Sequence, residues 1–214
     1  MGLLERIFGD ADLFNPNHEP PGSDKGGQFA PAREGSGSQA PVASDAQAKI
    51  GQREREIAAI KDHEVLYAVL RNGQEVKVDG TSNRVNLSMN EMDSGKWRGA
   101  VVTHNHPVTG NSFTPEDIYA THRGGFGEMH AVADLGGGNC VRYSIKPEAS
   151  FFRQTIRQQI EDESASVFRE NKKKIKAGTM TVDEADRAHY DMVWRRLDKA
   201  LDGIMHYKVE AFNA

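Results

Sequence analysis

The chain has 214 residues and a formal net charge of −4, from 27 lysines and arginines against 31 aspartates and glutamates. That length allows one domain of ordinary size plus accessory segments, and the charge gives no electrostatic case for nonspecific nucleic-acid binding. A single cysteine, Cys140, excludes an internal disulfide framework and the cysteine-based zinc deaminase and zinc-finger signatures, and no apolar run is long enough to span a bilayer.

At the start of the chain the apolar residues come only as Leu3-Leu4 and Ile7-Phe8 with charges between, so no signal-peptide core is expected. Position 6 is arginine, which argues against myristoylation. Residues 1–14 have the spacing of a short amphipathic helix. Asn15–Asp45 is rich in Pro, Gly, Ser and Ala, with little aliphatic content beyond Val42. Such a segment cannot bury enough apolar surface to fold and reads as a disordered linker. Within it Pro21–Ala30, PGSDKGGQFA, resembles the glycine-rich GGQFA-type tails of phage head-morphogenesis proteins; generic linker composition accounts for it equally well.

Ala46–Lys61 carries Ile50, Ile57, Ala58 and Ile60 at helical spacing. Glu64–Leu70 and Glu75–Val78 are β-rich runs around Asn72-Gly73, a strong hairpin signal. A further short strand is expected over Arg84–Leu87 and a turn of helix over Asn90–Lys96, with Trp97 as a core or rim anchor.

Val101–Asp117, VVTHNHPVTGNSFTPED, carries the chemistry. Its apolar start reads as a buried strand that delivers His104 and His106. Residues i and i+2 of a strand project from one face, so both imidazoles can reach a single ion. Pro107 stops the strand and Val108–Phe113 forms a loop. Thr114-Pro115-Glu116-Asp117 is a helix start, with Thr at the N-cap, Pro next and acids in the first turn. Asp117 can then complete a His-His-Asp set, and three protein ligands with an open position is the pattern of a catalytic zinc.

Beyond it, Glu128–Leu135 and Cys140–Ile145 flank Gly136-Gly137-Gly138 as a second hairpin. His122 and His130 are read as core or solvent residues, not ligands. Phe151–Lys176 and Val182–Tyr207 are long, charged helical patterns separated at Gly178, and Thr181 to Glu184 is a capping box. Lys172–Lys174 reads as a solvated face.

The spacing His104-x-His106, then Thr114-x-x-Asp117 after the loop, resembles the JAMM (JAB/MPN) metallopeptidase motif H-x-H-x7-S-x-x-D, with Thr114 where that family usually has Ser. HNHP and the helix start that follows look most like the RadC-like or phage-encoded prokaryotic branch. The resemblance covers about half the chain and implies Zn2+ as cofactor, held by His104, His106 and Asp117. It implies an upstream glutamate that deprotonates the water the metal activates. Glu64, at the opening of its strand, matches better than Glu54 or Glu56 in the preceding helix, or Glu75 past the turn. It also gives the hydroxyl of Thr114 the part of stabilising the tetrahedral oxyanion, although N-capping alone would equally explain that residue. The expected fold class is α+β, an MPN-like mixed sheet with flanking helices. The domains are a terminal segment and linker (1–45), a metal domain (46–148) and a C-terminal helical hairpin (149–214).

The implied activity is hydrolysis of a peptide or isopeptide bond in a protein substrate, with ubiquitin-like and phage structural proteins as candidates. The alternatives are a phage head-assembly or interaction module with a non-catalytic JAMM domain, and a RadC-like nucleic-acid-associated protein. The charge balance and the lack of an aromatic-basic stripe weigh against the last. His-Asn-His is not the nuclease motif of that spelling, whose residues are dispersed, and an amidohydrolase barrel needs about 250 residues. No membrane partner is expected, the helical hairpin offers self-association, and the expected compartment is the cytoplasm of a bacterial or phage-infected cell.

Overall fold

The computed structural model of the protein describes residues 42–107 and 111–213. The helix expected over residues 1–14 and the linker as far as residue 41 lie outside them. Helix α1 (Val42–Ala58) begins inside the stretch expected as linker and stops short of Lys61. Its buried side chains Ala46, Ile50, Glu54, Ile57 and Ala58 recur every three or four residues, forming one stripe. The apolar members of that stripe pack on Val65, Val69 and Val132, on one face of the sheet.

Strands β1 (Val65–Val69) and β2 (Glu75–Asp79) form the hairpin that Asn72-Gly73 predicts. Gly73 supplies a φ of 83°, and Asn72 Oδ1 accepts from the Gln74 amide at 3.0 Å. The strand expected over Arg84–Leu87 does not form. The Thr81 amide closes a turn on the Arg84 carbonyl at 2.8 Å, and Val85 and Leu87 pack on the core without a ladder partner. Helix α2 (Met89–Asp93) is shorter than expected and capped by Ser88. Trp97 is fully buried, 6.0 Å from the Phe126 ring.

Strand β3 (Val101–Asn105) pairs antiparallel with β1 and parallel with β4 (Glu128–Gly136). The crossover between the two runs through α3 (Pro115–Gly124). Strands β4 and β5 (Asn139–Ile145) are joined through Gly137 and Gly138, whose φ values of 65° and 82° suit the primed turn of a tight hairpin. A short turn (Phe151–Arg153), α4 (Ile156–Lys176) and α5 (Val182–Ala200) follow, and Thr181 and Glu184 make the predicted capping box.

The helical pattern predicted through Tyr207 ends at Ala200. Asp202 and His206 take positive φ, Gly203 turns the chain, and the Asp198 carboxylate accepts from the Met205 and Tyr207 amides. These leave no room for another helical turn. Lys208–Asn213 is instead a sixth strand, β6, antiparallel to β5. The fold is therefore mixed α+β, one sheet in the order β2-β1-β3-β4-β5-β6 with helices around it. Opposite α1 the sheet presents Leu66, Val102, Met129, Tyr143 and Ile145, which share one core with Ile118, Phe151, Ile160 and Trp194 from the helical elements. Among the described residues no helix is long and apolar enough to cross a membrane.

Candidate metal centre

Along β3 the alternation of side chains sends Thr103 and Asn105 toward α1 and Val102 and His104 toward the main core. His106, one step past the strand, returns to the His104 face. Both rings are buried, and their Nε2 atoms lie 2.9 Å apart. Asp117 reaches them from the first turn of α3, where Thr114 and Asp117 form a capping box. Thr114 donates to Asp117 Oδ2 twice, from its amide at 2.7 Å and from its hydroxyl at 2.9 Å, while the Asp117 amide donates to the Thr114 hydroxyl at 3.4 Å. The carboxylate so fixed lies with Oδ1 3.4 Å from His104 Nε2 and Oδ2 3.7 Å from His106 Nε2.

One donor atom from each of the three residues falls within 4.8 Å of the others, so this buried His-His-Asp group could hold a metal ion. The spacing fits: two ligands about 2.0–2.1 Å from a tetrahedral zinc sit about 3.3 Å apart. The tautomer fits too. His106 Nδ1 donates to the Asn111 carbonyl at 2.8 Å, which leaves Nε2 free to face the other donors. Among the described residues His104 has no such second partner. Its Nδ1 is buried without a hydrogen bond, and packing holds the ring, edge-on to His106 at 4.7 Å and 6.4 Å from Phe113. Burial alone would raise the Asp117 carboxyl, yet the two imidazoles hold it well below the usual carboxylate range. Burial works against charge on His106 as well, and Asp117 with the Asn111 carbonyl more than offsets it.

Glu64 sits immediately before β1. Leu66 is opposite His104 at the end of the antiparallel ladder, and the alternation of side chains puts Glu64, two residues before Leu66, on the same face. Burial pushes its carboxyl up, the two imidazoles pull it down, and Asp117 pushes it up again. The other glutamates are engaged elsewhere. Glu56 and Glu75 both pair with Arg53 at 3.0 Å, and Glu54 lies under α1 on the opposite face. No family model, curated protein or solved structure matches the chain.

Several residues that shape the site escape a reading by motif. Asn105, the spacer between the histidines, is fully buried and uses its whole amide: Oδ1 accepts from the Val65 amide at 2.6 Å, and Nδ2 donates to the Ile60 and His63 carbonyls at 3.1 Å each. It thus ties the backbone on both sides of Glu64 to the strand that carries the histidines. Asn105→Ala strands a buried amide and two carbonyls, and should destabilise the fold by about 3 kcal/mol. Urea denaturation of the metal-free protein measures this; a loss under about 1 kcal/mol would mean that water replaces the clamp.

The spare histidines have structural surroundings. His122 lies edge-on to Phe151 at 5.4 Å. His130 is buried between two carboxylates, its Nδ1 2.6 Å from Glu54 and its Nε2 2.8 Å from Glu128. Glu54, fully buried, also accepts from Arg142 of β5, and Gln47 donates to Glu128 at 2.7 Å. This network pins α1 to β4 and β5 on the face away from the candidate metal centre.

Proposed function

We propose that the protein is a zinc-dependent hydrolase that cleaves a peptide or isopeptide bond in a protein substrate by chemistry similar to that of JAMM metallopeptidases. The observation that carries this reading is the convergence of His104, His106 and Asp117 at the exit of β3, with Glu64 on the same face. Two imidazoles and one carboxylate favour zinc among common divalent ions. Zinc held there supplies Lewis acidity and brings the pKa of water toward neutrality.

Glu64 accepts the proton of the attacking water at its carboxylate and returns it to the leaving nitrogen. Its half-buried position supports the assignment, since a carboxylate held above its ordinary value is a better base near neutral pH. Asp117 holds its place through the capping box. Thr114 is then first a positioning residue for Asp117, and stabilises an oxyanion only if its hydroxyl turns away from Oδ2. A mixed sheet with its centre at a strand exit and a helix N-terminus supports an MPN-like fold.

Protein purified without chelator should contain one zinc per chain by elemental analysis, and His104→Ala should contain none. Stripping the metal should lower the melting temperature of wild type only, because a ligand that binds only the folded state stabilises it by mass action. A wild type as metal-free as the variant would overturn the reading.

A further inference from the structure

The segment that orients His106 is itself held from the far end of the chain. Asn111, whose carbonyl takes the His106 Nδ1 proton, is followed by Ser112 and Phe113, both fully buried. The Phe113 carbonyl accepts from Trp194 Nε1 at 2.8 Å, and Trp194 is a fully buried residue of α5. The Ser112 hydroxyl lies 2.7 Å from the hydroxyl of Tyr207. That phenol donates to Asp191 Oδ1 of α5 at 2.8 Å; its single proton being spent there, it must accept from Ser112. The Phe113 ring sits 6.4 Å from His104 on one side and 6.4 Å from Tyr207 on the other. Tyr207 is placed in turn by Asp198, which accepts its amide at 3.3 Å, and by the pairing of β6 with β5.

We infer that Trp194 and Tyr207, the latter through Ser112, are positioning residues of the metal centre, holding residues 111–113 so that the Asn111 carbonyl orients His106. A carbonyl that shifts by an ångström no longer accepts the Nδ1 hydrogen bond, and the ring loses the contact that sets its tautomer and helps to direct it. The stretch from α5 into β6 is then part of the metal centre's supporting shell. This rests on the metal-site reading above but does not need the hydrolysis.

The test uses the full chain labelled with 15N-histidine. In the metal-free protein the Nδ1 proton of His106, assigned by its disappearance in His106→Gln, should appear as a slowly exchanging resonance. Tyr207→Phe combined with Ser112→Ala keeps the packing and removes the bond between the two side chains, and Trp194→Phe removes the other support. In each, that proton should exchange too fast to observe, and zinc affinity, measured by competition with a chromophoric chelator, should fall about 10–100-fold. Asn171→Ala, which alters a buried residue between α4 and α5 away from residues 111–113, controls for general loss of stability and should leave both readouts at wild-type values. A protected His106 proton in the Tyr207→Phe/Ser112→Ala and Trp194→Phe variants would overturn the inference, as would an equal loss in Asn171→Ala. A wild type that binds no zinc would instead overturn the metal reading, while the metal-free spectra still decide whether the clamp exists.

Discussion

Glu64→Gln should keep the fold and the zinc while lowering the rate of hydrolysis by roughly 10²–10⁴-fold, the usual cost of losing a general base. The side chain is near-isosteric, and among the described residues no hydrogen bond from Glu64's carboxylate holds another element in place; its backbone contacts to Thr81 and Gly80 survive the change. The amide cannot take a proton from water, so the loss falls on kcat and kcat/KM together. Candidate substrates are lysine-linked ubiquitin-like fusions, the protein's own residues 15–45 and co-expressed phage structural proteins, with products compared by mass spectrometry. Identical products from wild type and variant would remove Glu64 from the mechanism. If neither cleaves anything and both bind a partner, the domain is an assembly module. Thr114→Ala then separates the two parts open to that residue. A loss of zinc marks Thr114 as the support of Asp117, whereas a loss of rate by about 2.7–4 kcal/mol with zinc retained marks an oxyanion donor.

The site was legible in the sequence to the extent that it obeys local geometry. The alternation of a strand puts His104 and His106 on one side whatever surrounds them, and Thr114, Pro115 and Asp117 specify a helix N-terminus by short-range hydrogen bonding alone. Asn72-Gly73 and the triple glycine fixed their turns for the same reason. What escaped depends on contacts distant in sequence. Asn105 looks like a spacer because its partners, Ile60, His63 and Val65, lie about 40 residues away. Lys208–Asn213 has only six residues of weak alternation directly after a helical pattern, and it becomes a strand because β5 offers an open edge. Asp198 and Asp202 carry ordinary helix-surface chemistry in the sequence; their roles in ending α5 and turning the chain appear only in the fold.

The same limit hid the charged network under α1, and the largest expected loss of stability lies there. Glu54 reads as one of several exposed acids on a charged helix, yet it is fully buried and joins His130 Nδ1 and the Arg142 guanidinium. Burial raises the Glu54 carboxyl, and His130 and Arg142 more than reverse that, so its folded value lies below the ordinary 4.5. Burial likewise opposes charge on His130, and Glu128 and Glu54 overcome it, so its folded value lies above 6.5. The signs then set the window. Glu54 contributes stability above 4.5 and loses it as the pH falls; His130 contributes fully below 6.5 and loses it as the pH rises through its raised value. Glu54→Gln leaves two cations without their shared carboxylate and should cost about 3–5 kcal/mol by denaturant unfolding between those two values. The deficit relative to wild type should shrink toward acid, where Glu54 is protonated in the wild type, and toward alkali, where His130 is neutral in both proteins. A deficit that stays constant across the range would mean that Glu54 acts by packing alone. Zinc content should be unaffected in the folded variant, because the network and the His104–His106–Asp117 group face opposite sides of the sheet.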